Sequence, residues 1–114
     1  VVGAGAVGLR KVRGLRGAGA HVTVIEPSPS ASLRDLAAAD RDVAVVARPF
    51  AAGDTAGALL VYACTAAGDV NEAVAADAAR TGALCCRADR GRGSDFMAGA
   101  VLRRGEVCVA VSTS

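Results

Sequence analysis

The 114 residues suffice for one domain, and with 53% of them hydrophobic that domain can bury a real core. The net charge is +2 and only three residues are aromatic, with no window both basic and aromatic, so nucleic acid is not expected as a partner. No apolar run reaches the ~18 residues of a membrane span and no secretory signal is visible, so no membrane partner is expected either.

The chain opens on Val1-Val2-Gly3-Ala4-Gly5-Ala6-Val7-Gly8, a strand end running into a G-x-G-x-x-G turn. In such a turn Gly3 permits the tight bend, Gly5 lets the backbone approach a pyrophosphate, and Gly8 lets a helix pack close to a sheet. Amides at the helix start would then face the phosphates, aided by the helix dipole. In the predicted helix Gly8, Val12, Leu15 and Gly19 form one stripe, leaving Arg10, Lys11, Arg13 and Arg16 to face water. Gly17-Ala18-Gly19 stops it. His21 to Ile25 reads as a second strand and ends at Glu26, 18 residues beyond Gly8, where an acid suits a ribose 2′-hydroxyl. A carboxylate there would repel a 2′-phosphate, which favours NAD over NADP.

Pro27-Ser28-Pro29-Ser30 is a polar loop, and Ser30 or Ser32 can cap a short helix around Leu33 to Ala39. A third strand spans Val43 to Ala47 and is broken by Arg48-Pro49-Phe50. Ala58 to Cys64, the longest apolar run, is a fourth strand covered on both faces. Asp69 with Glu72 three residues on has the look of a capping box for a helix that Gly82 ends. Ala83 to Cys86 is the fifth strand, followed by a charged, glycine-rich loop over residues 87–95. Phe96 to Leu102 and Glu106 to Val111 read as a hairpin turning at Arg103-Arg104-Gly105.

This order predicts an α/β fold: a Rossmann-like, doubly wound parallel sheet, truncated at its first strand and followed by a C-terminal β-hairpin. Residues 1–95 form the NAD-binding domain and 96–114 the start of a β region that follows. The two-residue opening strand and the abrupt end at Ser112-Thr113-Ser114 suggest a fragment of a longer chain. Cys64, Cys85, Cys86 and Cys108 show no zinc spacing and read as small buried hydrophobes in a reducing, cytoplasmic compartment.

In open α/β sheets ligands collect outside the carboxyl ends of the strands. His21, the only histidine, is at an amino end and fails that test. Glu26, Asp69 and Asp89 pass it. With Glu26 assigned to ribose and Asp69 to a cap, Asp89 is left as the general acid or base, set among Arg87, Arg90 and Arg92. Neighbouring arginines lower its pKa, and they can also clamp an anionic substrate.

Together V-V-G-A-G-A-V-G-L-R-K-V-R, the following G-A-x-V-T-V, V-N-x-x-V-A-x-D-A, C-C-R-A-D, D-F and V-A-V-S-T-S resemble the amino-terminal domain of siroheme synthase, nearly end to end. The resemblance implies a dimeric precorrin-2 dehydrogenase that uses NAD to give sirohydrochlorin, and commonly a ferrochelatase that inserts Fe2+. It implies NAD contacts at the glycine turn, especially Ala6 and Val7, at Pro27 and Ser28, and at Thr65. The essential aspartate falls on Asp89, which would meet metal transiently in chelation, and Arg87, Arg90 and Arg92 would meet the carboxylate-rimmed tetrapyrrole. Three departures stand out: Thr65-Ala66-Ala67 where the family often has an acidic pair, Arg90-Gly91 where a proline often follows the aspartate, and Gly99 in place of a common proline. A regulatory NAD-binding module without catalysis is the alternative, and an orphan Rossmann domain of another dehydrogenase is a third reading.

Overall fold

The computed structural model describes residues 1–112; Thr113 and Ser114, which end the V-A-V-S-T-S motif, lie outside the described residues. The elements run α1 (Ala6–Gly17), β1 (Val22–Ile25), α2 (Ala31–Ala39), β2 (Val43–Val46), β3 (Leu60–Ala63), α3 (Gly68–Thr81), β4 (Leu84–Arg87), β5 (Ala100–Arg104) and β6 (Val107–Val111). β1 pairs in parallel with β2, and β3 with β4. The opening Val1-Val2 joins the two pairs: Ile25 N–H donates to Val1 O and Gly3 N–H to Ile25 O, while Val2 N–H donates to Tyr62 O and Cys64 N–H to Val2 O, all within 2.8–2.9 Å. The sheet order is therefore β2, β1, Val1-Val2, β3, β4, with the shortest strand at its centre.

Two cores cover the two faces of this sheet. Strand side chains alternate, so Val22 and Val24 face one way with Val12 of α1 and Leu33 of α2, whereas Val2, Ile25, Val61 and Cys85 face the other way with Val74 and Ala78 of α3. Ser30 caps α2, its Oγ accepting from Leu33 N–H at 3.2 Å, and Gly82 ends α3 in the left-handed conformation at φ 84°.

Several expectations shift. Arg16 does not simply face water: its guanidinium donates to Asp40 and to Ala20 O, both at 2.6 Å, and ties α1 to the turn before β2. Lys11 lies over the Tyr62 ring, 5.4 Å from its centroid. Asp69 is not the cap of α3, which begins at Gly68 with Ala67 in the cap position and no side-chain bond there. Asn71 instead closes that turn through Thr65.

The hairpin is shorter than its apolar pattern. β5 begins only at Ala100, because the preceding segment is held on the body: Phe96 packs edge-on against Tyr62 with centroids 5.5 Å apart, and Asp95 exchanges bonds with the backbone of Cys85. Every residue of β5 and β6 is exposed. Cys108 is exposed with them and Cys64 is half-buried, so only Cys85 and Cys86 are the buried hydrophobes expected of all four.

Candidate functional site: a cleft at the carboxyl ends of the strands

The glycine turn is built by close approach. Gly3 has φ +86°, and a Cβ on it would come within 2.8 Å of the backbone of Cys64 and Thr65. A Cβ on Gly8 would overlap the Gly3 carbonyl, so α1 packs against the turn only with glycine there. At Gly5 nothing lies within 4 Å of the position a Cβ would take; the backbone opens onto space. Gly5 occupies the N-cap of α1, where no side chain caps the helix and no acid occupies the first turn. A cradle of this kind suits an anion at the helix start.

That space is a cleft of about 900 Å³, bordered by Gly3 to Val7, by Glu26 and Pro27, by Pro49 and Phe50, and by Thr65 to Ala67, Asp69 and Asp89. Its size suits a dinucleotide-sized ligand. The lining carries three carboxylates and no Lys, Arg or His.

Glu26, at the end of β1, has both oxygens engaged. Oε1 accepts from Ala4 N–H and Oε2 from Ser28 N–H, each at 3.0 Å, which fastens the loop after β1 to the glycine turn. Thr65, after β3, is fixed by Asn71: its N–H and hydroxyl donate to Asn71 Oδ1 at 3.0 and 2.7 Å, and its carbonyl accepts from Asn71 Nδ2 at 3.0 Å. Asn71 is fully buried, and the sequence reading assigned it no role. Phe50, read only as part of a strand break, gives the cleft an aromatic wall. Asn71 is signalled in the sequence only by the V-N-x-x-V-A-x-D-A run, and Phe50 by no motif.

Asp89 stands on the loop after β4. Arg87 grips it in fork geometry, Nε to Oδ1 at 3.0 Å and Nη2 to Oδ2 at 2.8 Å. The Arg87 side chain is 6% exposed against 27% for Asp89, so the arginine lies behind the carboxylate and the carboxylate meets the cleft. Arg87 Nη2 also lies 3.3 Å from Gly68 O, its bond to α3, and the Arg87 N–H donates to Ser94 Oγ at 2.9 Å. The guanidinium bond, joined by the charge itself, lowers the Asp89 pKa to about 2.

The cleft thus collects Gly3, Gly5, Ala6, Val7, Glu26, Pro27, Thr65 and Asp89 from the sequence-predicted site. Gly8 is buried beneath it, and Ser28 reaches it through Glu26. Arg87 is committed to Asp89, while Arg90 and Arg92 are exposed and outside the cleft lining. His21 lies at the opposite edge, 2.8 Å from Asp42. Among the described residues no three His, Cys, Asp or Glu side chains are grouped to hold a metal ion.

Comparison with known proteins agrees with this geometry. A family model described as "Putative NAD(P)-binding" matches residues 1–100. Siroheme synthase of Methylococcus capsulatus is 40% identical over 114 residues and that of Chromobacterium violaceum 36% over 113; each match covers 99% of this chain and 24% of the relative. The chain thus spans about a quarter of the length of these curated relatives. A solved structure titled "SirC, precorrin-2 dehydrogenase" superposes with a TM-score of 0.85 at 23% identity, over 98% of this chain and 54% of that one, and shares the fold. The chain belongs to the NAD(P)-binding family so described, and over nearly all its length it is a homologue of siroheme synthases.

Proposed function

We propose that the chain binds NAD+ in this cleft and oxidises precorrin-2 to sirohydrochlorin, a step of siroheme synthesis. The observation that carries this reading is one carboxylate, Asp89, ionised, fixed by Arg87 and facing the same cleft as the glycine cradle. The reading is supported by the names of the relatives, siroheme synthases, and of the structural neighbour, a precorrin-2 dehydrogenase.

The α1 amides of Ala6 and Val7 would hold the pyrophosphate and Glu26 the adenosine ribose, with Phe50 beside the adenine. NAD+ rather than NADP+ follows from Glu26 and from a cleft lining without a cation for a 2′-phosphate. The cofactor, when bound, accepts a hydride. Asp89 takes the proton that the oxidised ring releases; a ring that has just lost hydride is cationic and acidic, so a carboxylate of low basicity suffices. Arg90 and Arg92, on the loop that carries Asp89, would meet the substrate's carboxylates from solvent. Fe2+ insertion into sirohydrochlorin, the second activity the resemblance implies, would need that carboxylate to meet a metal ion.

We further propose a homodimer through the hairpin. Leu102, Val107, Val109 and Val111 are all about half exposed or more, and a lone two-stranded hairpin is marginal in water, which a second copy would remedy. A cytoplasmic setting accords with four free thiols.

The test is NAD+-dependent oxidation of precorrin-2 by the full-length protein, followed by absorbance, with Asp89→Ala alongside. Turnover that collapses in the variant while NAD+ binding persists supports the reading. NAD+ binding without turnover in the parent would overturn it in favour of a regulatory module.

A further inference from the structure

Side chains alternate along β4, so Cys85 and Arg87 point to the same face of the sheet, toward α3. Cys85 is in the core there, and Arg87 is the next step outward, buried under the start of α3. Its backbone is pinned by Ser94, and its guanidinium lies against the Gly68 carbonyl and both oxygens of Asp89. Arg87 is therefore not free to swing into the cleft as a substrate clamp.

Its position has a chemical consequence. Metal insertion exchanges one divalent cation for two protons on the ring nitrogens, and a carboxylate that assists must offer oxygen lone pairs to the cation. Both Asp89 oxygens already accept from a buried, permanent cation at 2.8–3.0 Å. A divalent ion brought to Asp89 would meet that guanidinium across a single carboxylate, at a range where like charges repel. The other two carboxylates of the cleft do not compensate: Glu26 is spent on two amides, and Asp69 forms no three-ligand group, none existing among the described residues.

We infer that Arg87 is a specificity-determining residue: it occupies the cation position beside Asp89 and so turns the cleft toward oxidation and away from metal insertion. The inference rests on the reading of the cleft as a precorrin-2 site. Oxidation is compatible with the pair, because it needs a fixed carboxylate and no metal.

The experiment is Co2+ insertion into sirohydrochlorin, followed by absorbance, for the full-length protein, Arg87→Val, Arg87→Gln, Asp89→Asn and the Arg87→Val/Asp89→Asn double variant. NAD+-dependent oxidation of precorrin-2 is measured on the same preparations. Either neutral substitution at Arg87 raises the insertion rate about tenfold or more. The gain disappears in the double variant. Damage to the fold would not create such a gain. Folded Arg87 variants no faster than the parent, or a gain that persists in the double variant, would overturn the inference. A Co2+ titration of the parent decides even where the Arg87 variants fail to fold, since Co2+ binding that is lost in Asp89→Asn would overturn the inference. Absence of oxidation by the parent would instead count against the proposed function, and the Co2+ rates would still decide on Arg87.

Discussion

The α/β body and the C-terminal hairpin are written in the same apolar alphabet, yet one buries it and the other displays it. Val22, Val24 and Val43 in the body are at most 5% exposed, whereas Val101, Val107 and Val111 in the hairpin are 55–64% exposed. The residues are alike and the surroundings are not. In the body, helices cross back over both faces of the sheet; β5 and β6 pair with each other, and every residue in them is exposed. The lesson is that strand pattern specifies pairing, while burial requires a second layer. Asp89 stands on the loop where the covered region passes into the uncovered one, anchored to the body through Arg87.

The largest effect separates chemistry from folding at that junction. Asp89→Ala should lower turnover by about 10²–10⁴-fold, the range for a lost proton-transfer group, and also lower the melting temperature, because it leaves the buried Arg87 without its counter-ion. NAD+ binding retained below that melting temperature, measured by titration, shows that the lost turnover is chemistry and not unfolding.

A core truncation measures the covered side. Leu33→Ala removes a fully buried side chain between α2 and the sheet and should cost about 2–5 kcal/mol in denaturant unfolding. The matching change in the hairpin, Leu102→Ala, should stay within about 0.5 kcal/mol in a monomer, since that side chain is 65% exposed. A cost at Leu102 that approaches the one at Leu33 and grows with protein concentration would show that a second copy covers the hairpin.

Glu26→Gln removes the charge and one of the two amide braces, because its Nε2 cannot accept from an N–H. Preference for NAD+ over NADP+ should fall by about tenfold, read as a ratio of binding constants by titration. An unchanged ratio would remove Glu26 from ribose recognition and leave it as a brace between Ala4 and Ser28.

The smallest effect is in pH dependence. The folded pKa of Asp89, about 2, lies below its ordinary 3.8, so its pairing stabilises the fold above about pH 4 and is lost as pH falls toward 2. Turnover should therefore show no acid limb from Asp89 above about pH 4. In Arg87→Gln the limb should move up toward the ordinary carboxylate range, as a pH–rate profile would reveal.

Much of this was legible along the chain. The glycine turn, the helix after it, the acid ending β1 and the buried run at β3 are local signals, because each depends on neighbours a few residues apart. Position at a strand's carboxyl end was also readable, and it brought Glu26, Asp69 and Asp89 together before any geometry was available. Partners across the sheet were not. Asp69 and Glu72 satisfied the spacing of a capping box, but α3 starts at Gly68 because Asn71 reaches back to Thr65. Phe50 entered the cleft from a loop whose sequence shows only a broken strand.

The sequence by itself determined the order of strands and helices and the residue types at the cleft, since periodicity and turn chemistry act over short spans. Only the tertiary structure decided how those residues are used. Three arginines lie around Asp89 in the sequence, and composition cannot distinguish them. Folding buries Arg87 against Asp89 under α3 and leaves Arg90 and Arg92 in water. A guanidinium becomes an internal counter-ion or a surface charge according to which face of the sheet its strand position assigns it and what packs there, and that is fixed by contacts between elements distant in the chain.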